Sequence, residues 1–241
     1  EFGSEQLKDI FKKLNCYNSP YFLYIQRSLV VKMDNALIVF LKYPESGRVK
    51  TRLAKDIGDE KACAIYKLLA EGVMKNIFSK KPGMYDVYIF FTPSDKENEI
   101  KAWLKPIINN NLGGDVQYIP QEGYDLGERM SYAFKKTLRS RGYKKCIIIG
   151  TDCPGIDTPL IENAFEILKE RDVVVGPCRD GGYYLLGMST LAVDLFVDID
   201  WSTDRVFNQT IEKTRKNNLS SGILKTLADI DTQEDLYGYT A

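Results

Sequence analysis

The segment ESGRVKTRL (45–53) sets Arg48, Lys50 and Arg52 at alternate positions just after Gly47. Cationic groups spaced so closely suit phosphate oxygens, and Gly47 permits a positive φ or a close backbone approach. Val49 precedes Lys50, so the G-K-[ST] of a P-loop is absent, as is a G-x-G-x-x-G fingerprint. The bland alternative for such a loop is a solvated basic turn.

A second candidate is IIIGTDCPGID (147–157). An apolar run ends in Gly150, Thr151 and Asp152, and Cys153-Pro154-Gly155 then turns the chain. Asp152 is thus expected on rigid backbone, where its carboxylate suits a Mg²⁺ or Mn²⁺ that bridges nucleotide phosphates. Asp157 reads instead as the cap of a following helix. The third candidate, VVVGPCRDGGYYLLG (173–187), brings Arg179 and Asp180 to the end of another apolar run. Gly181 and Gly182 mark a tight turn there and can expose backbone amides to a nucleotide. Tyr183 and Tyr184 are expected mainly to pack. Asp180 is the candidate for meeting an acceptor or assisting the metal.

Composition narrows the chemistry. Thirty-three basic and thirty-three acidic residues cancel over 241 positions, which argues against nucleic acid or an anionic membrane as partner. There is no histidine, so Ser-His-Asp and Cys-His mechanisms and imidazole bases are excluded. Carboxylates, Lys, Arg and an oxygen-held divalent ion remain. Five scattered cysteines without a C-x-x-C pair fit a reduced, cytoplasmic protein.

These loops need a scaffold, and the pattern supplies one. Apolar strand-like runs at 36–42, 85–92, 115–120, 145–152, 172–177 and 182–188 alternate with helical periodicity at about 59–79, 94–108, 126–140, 158–170 and 203–217. A short strand GILKTL (222–227) and a helix from about 232 close the chain. That alternation predicts a single-domain α/β three-layer sandwich, Rossmann-like, with a mostly parallel central sheet whose ligands bind at the carboxyl ends of the strands. EFGS (1–4) reads as a cloning remnant. Residues 5–32, with the amphipathic LKDIFKKL, read as an N-terminal extension that could pack across a subunit boundary. YFLYIQRSLVV (21–31) is too short for a membrane span. The functional domain is expected over 33–241.

KYPESGRVKTRLA, GTDCPGID, VVVGPCRDGGYYLLGM, WST (201–203) and LADIDTQEDL (227–236), in this order, together resemble the uncharacterised DUF2064 family, also labelled radical-SAM/selenodomain-associated transferase 1. The resemblance spans about residues 35–238. It implies the GT-A-type fold of the nucleotide-diphospho-sugar transferase superfamily. By resemblance, the first loop cradles phosphates (Gly47, Arg48, Lys50, Arg52) and Asp152 holds the metal, with Asp229 or Asp231 as a second contact. Thr151, Gly181 and Gly182 complete the expected nucleotide contacts; Asp152, Lys50 and Asp180 are the expected catalytic groups. The expected function is metal-dependent transfer from a nucleotide donor to a small acceptor. Nucleotidyl transfer from an NTP is slightly favoured over glycosyl transfer from an NDP-sugar, and a non-catalytic nucleotide-binding protein is the further alternative.

Overall fold

Seven short, mostly apolar segments become the seven strands of one sheet in the computed structural model, which describes residues 33–78, 85–108, 116–139 and 141–240. The expected extension over 5–32 lies outside the described residues. The strands are β1 (Asn35–Lys42), β2 (Asp86–Thr92), β3 (Gln117–Pro120), β4 (Lys145–Ile149), β5 (Val173–Pro177), β6 (Tyr183–Met188) and β7 (Ser221–Ile223). Their spatial order is β3-β2-β1-β4-β6-β5-β7. Only β6 runs against its neighbours, pairing antiparallel with both β4 and β5. Its reversal follows from the short Cys178–Gly182 turn, which leaves no room for a crossover.

The strands are apolar on both faces because both faces are covered. Leu37, Val39, Ile89, Phe91, Ile147, Ile149 and Val174 point to one side, against α2 (Asp59–Ile77), α3 (Glu97–Ile108) and α5 (Thr158–Ile167). Ile38, Tyr88, Phe90, Ile148, Val175 and Leu186 point to the other, against α4 (Leu126–Phe134), a 3₁₀ turn at Val193–Phe196 and α6 (Val206–Lys216). This period of two, repeated in register across β2-β1-β4, makes two separate cores.

Several element bounds differ from the sequence reading. A helix α1 (Thr51–Ile57) forms where a loop was expected, cut off by Gly58 at φ 87°. Helix α2 stops at Ile77, and α4 gives way at Phe134 to a π-helical turn over Lys135–Arg139. Helix α5 ends at Ile167, three residues early, where Leu168 caps it. GILKTL contributes little strand: beyond Ile223, Leu227 makes one isolated pairing with Cys178. The last helix, α7, covers Gln233–Thr240. Asp157 does cap α5, its Oδ1 accepting the Leu160 amide at 2.9 Å. No helix among the described residues is long and apolar enough to cross a membrane.

Candidate functional site

The carboxyl ends of β1, β4 and β5 and the start of the reversed β6 share one rim of the sheet. The register fixes this: Ile149 pairs with Leu185, and the Gly150 amide donates to the Tyr184 carbonyl. The loops after β1 and β4 therefore open together, beside the turn between β5 and β6. They border a cleft of about 530 Å³, within the range of small-molecule sites.

Lys50 lies at the centre of one side. It is the residue before α1, in left-handed backbone at φ 48°, ψ 45°. That conformation costs a β-carbon-bearing residue about 1–2 kcal/mol. Its ammonium sits 3.2 Å from Asp152 Oδ1 and 2.5 Å from Asp231 Oδ1, and its side chain is only 3 % exposed. Burial pulls the Lys50 pKa down, but Asp152 and then Asp231 outweigh it and leave it raised. Asp231 is steadied in turn by α7, since Asp235 Oδ2 accepts the Asp231 and Thr232 amides.

The other two cations of the loop behave differently. Arg52 lies over the mouth, 57 % exposed, 3.8 Å from Asp231 and donating to the Ser202 carbonyl. Arg48 is exposed and, with Gly47, is outside the cleft lining. Gly47 does take a positive φ of 75°, with the Asp59 carboxylate as its neighbour. The expected cradle of three cations is thus not assembled: Arg48 faces solvent, Arg52 lies at the mouth, and Lys50 is spent on aspartates.

A second group gathers in the same cleft. Cys178 Sγ and the carboxylates of Asp180 and Asp229 lie within 4.8 Å of one another. The Asp229 pKa is pushed up to about 6 by burial first, then by Asp180 and Asp231. Asp180 Oδ1 accepts the Gly182 amide at 2.8 Å, closing the turn on itself. Gly182 lines the cleft. Gly181 does not: a β-carbon there would lie 2.1 Å from the Asp204 carbonyl oxygen, so this glycine serves chain packing at φ 87°. Thr151 is buried in the lining. Cys153 and Cys178 approach to 3.4 Å between sulfurs, and the Cys153 thiol is pushed up by that hydrogen bond and by burial.

Sequence reasoning passed over Cys178 as a donor, and over Gln121, Arg129 and Trp201, which also line the cleft. Trp201 fits against Gly127 so closely that a β-carbon there would lie 2.6 Å from the indole nitrogen. WST and LGERM carry no local signal of this meeting; a glycine on an otherwise good helix pattern was the only hint.

Would a divalent cation fit? Asp152, Asp180, Asp229 and Asp231 all line the cleft, and Lys50 alone is buried among them. Asp152 Oδ1 is buried without a hydrogen bond, leaving only its ion pair with Lys50. Oxygen donors in excess of positive charge match a hard divalent ion. The residues fit.

A mostly parallel sheet with one reversed strand, and an acid-lined cleft at its carboxyl edge, defines a nucleotide-diphospho-sugar transferase fold of GT-A type. A Desulfovibrio desulfuricans G20 protein to which a nucleotide-diphospho-sugar transferase role is ascribed superposes with a TM-score of 0.75, at 33 % identity over 85 % of each chain. A cytidylyltransferase from Leptospira borgpetersenii serovar Hardjo-bovis matches at 0.50 and 13 % identity, over 85 % of this chain and 84 % of its own. The 4-diphosphocytidyl-2C-methyl-D-erythritol synthase of Anaerococcus prevotii matches at 0.51 and 12 %, over 85 % and 94 %. No curated protein matches the sequence. The family model described as "Uncharacterized protein conserved in bacteria (DUF2064)" matches residues 79–203, and the chain belongs to that family. The matched span includes Asp152 and Asp180 but stops short of the Lys50 loop and of the Asp229–Asp231 tail.

Proposed function

We propose that this protein transfers a nucleotidyl group from an NTP to a small acceptor, with the help of a divalent cation. The observation that carries the reading is the meeting of Lys50, Asp152 and Asp231, from three distant parts of the chain, on the floor of one cleft. When bound, the cation would neutralise phosphate oxygens; Asp152, Asp180, Asp229 and Asp231 are the residues placed to hold it. Lys50 fixes the direction of the Asp152 and Asp231 carboxylates, so no reorganisation is needed when substrate arrives. Arg52, exposed at the mouth and held among the described residues only by a 3.8 Å approach to Asp231 and a 3.4 Å hydrogen bond to Ser202, is placed to turn towards donor phosphates. Transfer at phosphorus asks mainly for positioning and charge neutralisation, which suits a chain with no histidine.

Glycosyl transfer from an NDP-sugar is the second reading, favoured by the role ascribed to the D. desulfuricans relative. Thermal-shift titration with Mg²⁺ plus NTPs, against Mg²⁺ plus NDP-sugars, separates the two. A ligand at 100 times its Kd stabilises by about 2.7 kcal/mol, or roughly 5–10 °C for a domain of this size. Shifts with NDP-sugars alone would reverse the preference. With the substrate in hand, Asp152→Asn should stay folded and lose product formation by about 10²–10³-fold. Binding without turnover in the wild type would support the non-catalytic alternative instead.

A further inference from the structure

The group around Cys178 contains a donor that an oxygen-only Mg²⁺ site lacks. We propose that Cys178 binds the divalent cation as a thiolate, together with Asp180 and Asp229, and that the site therefore takes a borderline transition ion such as Co²⁺ or Zn²⁺ in preference to Mg²⁺. The proposal rests on the metal-dependent reading above and names the ion class for that same cleft.

Three observations support it. First, the sulfur and the two carboxylates come from two separate places, the turn between β5 and β6 and the tail before α7. They still converge to within 4.8 Å. Donors bonded at about 2.0–2.3 Å to one tetrahedral ion stand about 3.3–3.8 Å apart, so the three must draw in by up to about 1–1.5 Å on binding. Second, Cys178 is held firmly. Its amide donates to the Gly182 carbonyl at 3.0 Å, its carbonyl accepts the Gly181 amide at 3.2 Å, and its backbone pairs with Leu227. Cys178 is 9 % exposed and lines the cleft, so an ion can approach it without unfolding. Third, among the described residues no cation forms an ion pair with Asp180 or Asp229, and Lys50 is committed to Asp152 and Asp231. An arriving dication relieves the repulsion among Asp180, Asp229 and Asp231.

Sulfur decides which dication. Mg²⁺ requires near-octahedral oxygen and sheds water reluctantly, whereas Co²⁺ and Zn²⁺ bond readily to thiolate. On binding, the S–H bond of Cys178 breaks, its electron pair forms the metal–sulfur bond, and the proton leaves to solvent. Nothing is oxidised or reduced. The neighbouring Cys153 thiol, 3.4 Å away, keeps its proton and serves as a packing neighbour.

Tighter binding of Co²⁺ than of Mg²⁺ would not discriminate, because most protein sites show that order. The test is spectroscopic. Reduced wild-type protein, kept in a phosphine reductant, is titrated with Co²⁺ and read for the near-ultraviolet thiolate-to-cobalt charge-transfer band. The band should appear and saturate at one equivalent. It should vanish in Cys178→Ser and in Cys178→Ala, two variants so that a folding defect in one is not misread, and it should persist in Cys153→Ser. Asp229→Asn should weaken Co²⁺ binding at least about tenfold. Calorimetric binding of Co²⁺ or Mn²⁺ without the band, or a band that survives loss of Cys178, overturns the thiolate site and leaves the proposed function standing. Failure of Mg²⁺, Mn²⁺ and Co²⁺ alike to bind, with or without nucleotide, overturns both.

Discussion

Two walls of the same cleft handle negative charge in opposite ways. Around Lys50, two carboxylates share one buried ammonium, and Arg52, 3.8 Å from Asp231, supplies the second positive charge that balances them. Around Cys178, two carboxylates and a thiol meet with Lys50 only as the last and weakest influence on Asp229, which is left with a raised pKa. The contrast separates two tasks that the sequence shows only as scattered acids. One wall is a rigid fixture that aims Asp152 and Asp231. The other is short of positive charge and so is the place for an incoming cation. Buried ion pairs of the first kind are costly to break rather than strongly stabilising, whereas the second kind weakens the empty fold.

The sharpest way to break this contrast is Lys50→Met. It leaves Asp152 without its ion pair and Asp231 with only the exposed Arg52 at 3.8 Å, and should cost about 3 kcal/mol, or roughly 6–12 °C in Tm. A thermal melt that moves by under about a degree would mean the first wall is not held by its lysine. Between about pH 6 and about pH 9 the loss should be constant, because the raised Lys50 pKa keeps the wild-type ammonium charged there. On the alkaline side the wild-type pair should weaken as pH rises above the unfolded lysine value of about 10.4 and be lost through the raised folded value.

Next comes the turn carrying Asp180. Gly181→Ala must fit a β-carbon where the Asp204 carbonyl stands at 2.1 Å, in backbone of φ 87°. It should destabilise by about 2 kcal/mol, visible as a lowered urea midpoint, and should weaken metal binding by displacing Asp180. Unchanged metal affinity would show that Asp180 is not held by this turn.

Asp229→Asn should act with the opposite sign. The folded protein keeps the Asp229 proton up to about pH 6, while an unfolded Asp releases it near 3.9. Folding therefore takes up a proton between those values, and stability falls as pH rises through that window. Asparagine avoids the penalty. Discounted for a partly solvated group, the gain at pH 8 without metal is about 1 kcal/mol, or roughly 2–4 °C, and it should disappear below about pH 4. A variant less stable than wild type at pH 8 would place Asp229 among the structural residues.

The smallest effect separates the cations of the basic loop. Arg48→Ala, at an exposed position outside the lining, should change stability by less than about 0.5 kcal/mol and leave nucleotide-induced thermal shifts intact. Arg52→Ala should reduce those shifts. Equal responses would restore the cradle of cations that the sequence suggested.

Much of the scaffold was legible because its causes are local. Ile147, Ile148 and Ile149 read as a doubly covered strand because their neighbours on both faces must be apolar, and Asp157-Thr158-Pro159 read as a helix start because capping acts within three residues. The short α1 was less legible: its seven residues carry one buried side chain, Leu53, too few to show a period. The site was readable as a set of loops and illegible as a set of contacts. Arg48, Lys50 and Arg52 look alike in sequence. The left-handed turn at Lys50 selects one of them for the interior, and that choice depends on where Asp152 and Asp231 come to rest.

By itself, the sequence determined the alternation of strands and helices, the parallel sheet they must build, and the rim at which Asp152 and Asp180 emerge. It did so because hydrophobic period, turns and caps act over a few residues. Only the tertiary structure decided that Lys50 neutralises Asp152 and Asp231 while Cys178, Asp180 and Asp229 face one another without a cation. Those pairings join residues from Lys50 to Asp231, and the distance between them is set by strand order and register, which no local pattern encodes.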